Sequence, residues 1–139
     1  MAARQRQTYG EEVANVLTHG AGMLFGMTAI IILMMAAIRS GNPWAIGSFA
    51  VYAVCMTLSY VTSTFYHAST HARQKRLLRR FDHGAIYLHI AGTYTPFTLL
   101  ALRQEGYWGW SLFAVIWIAA VAGVWLRFRE MKKKDHLKT

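Results

Sequence analysis

Ser63, His67 and Asp82 are the residues of this 139-residue chain whose types and spacing could do chemistry together. Ser63 and His67 stand four apart in Ser63-Thr64-Phe65-Tyr66-His67, so on a helix they share a face, one turn from each other. That run closes one apolar block, and Phe81-Asp82-His83 opens the next. A hydroxyl, an imidazole and a carboxylate thus converge at the ends of two adjacent apolar segments, and ionisable groups inside a membrane are functional candidates by default. Neutral imidazole binds zinc well, and a carboxylate held near a metal can activate water. Each residue also has a plainer role. His67 can serve as an interfacial hydrogen-bonding group, Asp82 as the N-cap of the helix it opens, and Ser63 as a donor to the carbonyl one turn back. His71 would pair with His67 as His-x-x-x-His only if the helix persisted through Ala68-Ser69-Thr70. Ser and Thr favour fraying there, which puts His71 in a solvated connector. His83 and His89 do not share a helical face and read as structural.

The elements that must position these groups are membrane helices. The chain is 55% hydrophobic and 15% charged, with its apolar residues gathered in blocks. A bilayer core about 30 Å thick needs roughly 20 apolar residues per helical crossing. Four segments qualify, near 21–38, 44–66, 84–102 and 108–126. The expected fold is an all-α polytopic membrane bundle forming a single domain over 1–139. Residues 1–20 form a lead-in and 127–139 a basic tail. The first apolar run begins late, is long, and has no small-x-small cleavage pattern, which argues against a cleavable signal peptide. Cys55 is the single cysteine and forms no intrachain disulfide.

The net charge of +9 invites a nucleic-acid reading, but its placement argues against one. Summed over alternate connectors, thirteen Lys and Arg fall on one side of the segments and two on the other. By the positive-inside rule the N-terminus, the 70–81 connector and the tail are cytoplasmic, in a multi-pass protein of the plasma (inner) membrane. The same basic residues favour contact with anionic lipid headgroups.

Along the chain, Glu12, Asn15 and His19 form one polar stripe at helical i, i+3, i+7 spacing, expected to face headgroups. Gly22 and Gly26 make a small-x-x-x-small pair suited to close helix approach. Ser40-Gly41-Asn42-Pro43 is a tight turn by composition, joining the first two segments as a hairpin. The connector 71–80 is expected as a short interfacial helix with Leu77 and Leu78 dipping into the membrane. Pro96 removes the backbone bond to the Gly92 carbonyl and predicts a kink, with Thr93 and Thr95 helping to satisfy freed groups.

Four motifs together resemble the hemolysin III family. They are Ser63-x-x-x-His67, the run Phe81–Tyr87, the run Ile90–Phe97, and Glu12-x-x-Asn15-x-x-Thr18-His19. That family is similar to the progestin/adiponectin-type receptors and alkaline ceramidases, seven-helix membrane proteins with a buried zinc. The resemblance implies that His67 is a zinc ligand, that Asp82 holds the water at the zinc, and that Ser63 is the nearby hydroxyl. The family takes its other two ligands from a His-x-x-x-His pair on its last helix, and nothing in this sequence matches that pair. His136 lies in a Lys-rich tail with no histidine four residues away. The expected reading is therefore the N-terminal portion of a longer protein, inactive by itself, resembling the first four helices of a seven-helix barrel. A substitute site of His67, His71 and Asp82 is the geometric alternative. The function implied for the complete form is zinc-dependent hydrolysis of a lipid amide or ester. The alternatives are a non-enzymatic sensor or regulator of membrane state with structural zinc, and a cytolytic membrane protein. The expected partners are membrane lipids and either the remaining C-terminal helices or a second copy of the chain.

Overall fold

In the computed structural model the described residues are 8–136, with side chains through Glu130. Arg4, Arg6 and Lys138, the side chains of Lys132, Lys133 and Lys134, and the His136 imidazole lie outside the described residues. Four long helices follow one another: α1 (Tyr9–Ser40), α2 (Pro43–Ala68), α3 (Ala72–Pro96) and α4 (Trp108–His136). Three of them, α1, α2 and α4, are long and apolar enough to cross a membrane. The remaining helix, α3, opens on Arg73, Lys75, Arg76, Arg79 and Arg80, which dilute its apolar stretch.

Local chemistry explains the boundaries. Thr8 caps α1 with a reciprocal box: its hydroxyl accepts from the Glu11 amide at 3.3 Å, and the Glu11 carboxylate accepts from the Thr8 amide at 2.6 Å. At the far end Gly41 takes a left-handed conformation, φ 64°, which glycine adopts without a Cβ penalty. Asn42 then caps α2, its side chain accepting from the Trp44 amide at 3.0 Å, and Pro43 occupies the first helical position. The turn expected at 40–43 is therefore present.

Several boundary expectations change. The lead-in is not separate from the first membrane segment, because α1 runs unbroken from Tyr9. Likewise the 71–80 connector and the third segment are one helix, capped by the backbone of His71 without a side-chain bond. Asp82 is the eleventh residue of α3 rather than its opening residue, so it cannot be the N-cap. The three-residue link Ser69–His71 makes the turn that a longer connector was expected to make. In the same way α4 carries its helix through the first part of the expected tail.

The helices lie in a row, each antiparallel to the next. Gly22 and Gly26 of α1 meet Tyr60 and Met56 of α2, so the small pair does serve close approach. Gly92 of α3 fits against Cys55 and the Tyr52 backbone of α2, and Phe81 of α3 meets Phe128 of α4 at 5.5 Å between ring centroids. Among the described residues the backbones of α1 and α4 are not in contact, so the row is open rather than closed. The buried positions are mostly small: Ala37, Ala45, Ser48, Cys55, Ser63, Ala85, Ala91 and Ala120, for example. Large side chains such as Leu24, Phe25, Ile32 and Ile118 point outward. That inversion suits a lipid solvent, where close backbone packing rather than sequestration of bulky residues holds helices together.

Pro96 ends the α-helical part of α3, and the next five residues, Phe97–Ala101, form a π-helical turn. Thr93 and Thr95 bond the carbonyls of His89 and Ala91, each at 2.8 Å, flanking Gly92 rather than reaching its own carbonyl. Thr98 adds a bond to the Tyr94 carbonyl at 3.0 Å. The hydroxyls therefore stabilise the turns on both sides of the break.

Candidate functional site

His67 sits in the last turn of α2, and its side chain is only 9% exposed. Its Nδ1 lies 2.8 Å from Oε2 of Glu12, contributed by the first turn of α1. The other oxygen of that carboxylate accepts from Nζ of Lys75 in the first turn of α3. Asn15 places its amide nitrogen 3.5 Å from the same Nδ1, and the His19 ring lies 5.8 Å from the His67 ring. The stripe of Glu12, Asn15 and His19 thus faces His67, not the headgroups. Helical spacing puts the three on one side of α1, and the antiparallel register of α1 on α2 turns that side toward the α2 terminus.

A row of aromatic rings continues from this cluster. His19 lies 6.3 Å from Tyr60, and Tyr60 lies 5.9 Å from His89 on α3. On the other side Tyr66 stacks 4.7 Å from His67 and stands 6.5 Å from His83, with Lys75 Nζ 5.4 Å from its ring centroid.

Ser63 is buried one turn before His67, as its spacing predicts. The backbone bond considered for it is made by its neighbour, since Thr62 donates to the Leu58 carbonyl at 2.8 Å. Asp82 is largely buried, at 12% exposure, and its Oδ2 is 3.3 Å from Nδ1 of His83. That is an ion-pair distance without hydrogen-bond alignment, and His83 Nδ1 has no hydrogen-bond partner among the described residues. No hydrogen bond or ion pair joins Asp82 to His67 among the described residues; Tyr66, next to His67, faces His83, next to Asp82, at 6.5 Å between ring centroids. His71 is exposed at the start of α3, and the substitute set of His67, His71 and Asp82 is not gathered. More broadly, no three His, Cys, Asp or Glu side chains converge to hold a metal among the described residues. What is present fits one ligand of a zinc site, His67, and not a whole site.

The Haemolysin-III related family model matches residues 7–139. The chain belongs to the haemolysin III family. It is similar to Hemolysin-3 of Bacillus cereus, 46% identical over 121 residues, covering 87% of this chain and 54% of that protein. It is also similar to a Hemolysin-3 homolog of Bacillus subtilis (strain 168), 43% identical over 117 residues, covering 84% of this chain and 54% of that one. The chain therefore spans about half the length of the curated relatives it matches. No solved structure matches.

The haemolysin III motif at Glu12-x-x-Asn15-x-x-x-His19 marks side chains that reading the residues alone had assigned to headgroups. Their periodicity was visible, but not the partner they face. Lys75 carried no signal, being one of five basic residues between positions 73 and 80. His83 was marked by its place beside Asp82 in the run Phe81–Tyr87.

Proposed function

We propose that this membrane chain contributes the His67 side of a zinc-dependent hydrolase acting on an amide or ester bond of a lipid, completed by helices beyond the four described here. The observation that supports the reading is the position of His67. It is an imidazole screened from solvent at the end of a membrane helix and surrounded by ionisable side chains of two other helices. Zinc, when bound, would act as a Lewis acid and activate water. The residues of this chain would act around it: His67 as a ligand, Asp82 as the carboxylate that orients water, and Ser63 as the hydroxyl near the lipid carbonyl.

The open row of helices supports the partner assignment. The unpaired edges of α1 and α4 would be closed by further helices of the same protein or by a second copy, and membrane lipids would cover the outward apolar side chains. The start of α3 and the end of α4 carry Arg73–Arg80 and Arg127–Arg129 at one end of the row, the end where Glu12 lies. We assign that end, and with it the N-terminus, to the cytoplasmic side of the plasma membrane.

Zinc per chain, measured by elemental mass spectrometry in mild detergent, tests the ligand role. The measurement is made on this chain and on this chain joined to the part of Bacillus cereus Hemolysin-3 that the match does not cover. Near-stoichiometric zinc in the joined protein, lost in His67→Ala, is the expected result, and a zinc-free joined protein would overturn the reading. Turnover of an amide or ester lipid in vesicles, abolished by Asp82→Ala, is the expected activity.

One observation favours a second reading. Glu12 ties α1, α2 and α3 together at the His67 end, so the protein can instead work as a sensor of membrane state, zinc being structural. Retention of the cellular phenotype in Asp82→Ala would favour that reading. The relative's name, Hemolysin-3, raises lysis as a third reading, which red-cell lysis by the purified protein would revive.

A further inference from the structure

The contact between Glu12 and His67 carries a consequence for which nitrogen of the ring holds the proton. A carboxylate only accepts, so a 2.8 Å approach to Nδ1 requires the hydrogen to be on Nδ1. The Asn15 amide nitrogen competes for the same atom as a donor, but at 3.5 Å it stands at the limit of a hydrogen bond. The shorter, charge-assisted contact decides the arrangement. Lys75 fixes the carboxylate itself. It occupies Oε1, so the plane of Glu12 is held at both oxygens, one by α3 and one by α2. All three side chains are largely withdrawn from solvent, at 9% for His67, 19% for Glu12 and 29% for Lys75.

We infer that Glu12, held in place by Lys75, is a positioning residue that puts the hydrogen of the neutral His67 ring on Nδ1 and leaves Nε2 as the ring nitrogen whose lone pair is available. Isolated histidine prefers the opposite tautomer, with the proton on Nε2, so the arrangement is imposed by α1 and α3 on a residue of α2. A carboxylate bonded to one ring nitrogen in this way sets both the tautomer and the orientation of an imidazole whose other nitrogen is to bind a metal or accept a proton. Its use for zinc rests on the reading proposed above, whereas the tautomer does not.

The test is nitrogen NMR of the full chain, labelled with 15N-histidine, in detergent micelles at a pH above the ordinary imidazole range. The His67 signals are assigned by their disappearance in His67→Gln. The wild type is expected to show His67 protonated on Nδ1 alone. Glu12→Ala, with unchanged helix content, is expected to shift it to the Nε2–H form. Glu12→Gln keeps an acceptor oxygen and is expected to rescue the Nδ1–H form. An Nε2–H ring in the wild type would overturn the inference, and that spectrum needs no variant to fold. An Nδ1–H ring unmoved by Glu12→Ala would overturn the role of Glu12. A joined protein that binds no zinc while His67 stays Nδ1–H would defeat the hydrolase reading and leave this one standing.

Discussion

Trp117 of α4 donates its indole N–H to the hydroxyl of Thr95 on α3 at 3.1 Å, and that hydroxyl in turn donates to the Ala91 carbonyl at 2.8 Å. Thr95 is 2% exposed and stands immediately before Pro96, where the helix changes to a π-helical turn. A side chain of a neighbouring helix thus props the irregular backbone at the depth where water cannot do so.

Trp117→Phe keeps the ring and removes the donor. It should destabilise the protein by about 0.5–1.5 kcal/mol, the usual net value of one hydrogen bond. Amide exchange over residues 95–98 should accelerate more than exchange in α1. Equal acceleration in both helices would mean that the indole only contributes to general packing.

Gly92 should tolerate no side chain. A Cβ there would lie 2.6 Å from that of Cys55, on a neighbouring helix that cannot yield locally. Gly92→Ala is expected to lose about 1–3 kcal/mol of stability by overpacking, read as a lower unfolding midpoint in detergent. Gly20→Ala, where nothing lies within 4 Å, should leave the midpoint unchanged or raise it.

Glu12 and Lys75 should be energetically coupled although α1 and α3 are not neighbours in the row. A double-mutant cycle with Glu12→Ala and Lys75→Ala should return about 0.5–3 kcal/mol of interaction energy. Glu12→Ala should be the more damaging single change, since it leaves both His67 and Lys75 without the carboxylate. Additivity within experimental error would show that the pair contributes nothing to holding the row together.

Sidedness is accessible through single cysteines in a Cys55→Ala background. Gln104→Cys, in the exposed loop before α4, should react with an impermeant maleimide on intact cells. Thr70→Cys, in the exposed link before α3, should react only after permeabilisation. The reverse pattern would invert the proposed orientation.

Much of the fold was legible because its causes are local. Apolar block length marks the helices, Gly41, Asn42 and Pro43 write the first turn into four residues, and Gly22 with Gly26 marks the close face of α1. Misreadings arose where a local signal had two meanings. The basic run before Asp82 looked like a solvated connector, yet Ala72–Arg80 contains no helix breaker and simply begins α3. Asp82 then had the right residue type for a cap and the wrong position.

What the sequence by itself determined is the membrane class, the family, the hairpin order and the faces on which Ser63 and His67, or Glu12 and Asn15, must stand together. Those follow from composition and from a helical period that every stretch carries within itself. Only the tertiary structure decided which faces meet. It brought Glu12 to His67 across 55 residues and drew Lys75 onto the same carboxylate. The rotation of each helix about its own axis is fixed by where glycine and other small residues let backbones approach, and that balance is struck between helices, not within any one of them.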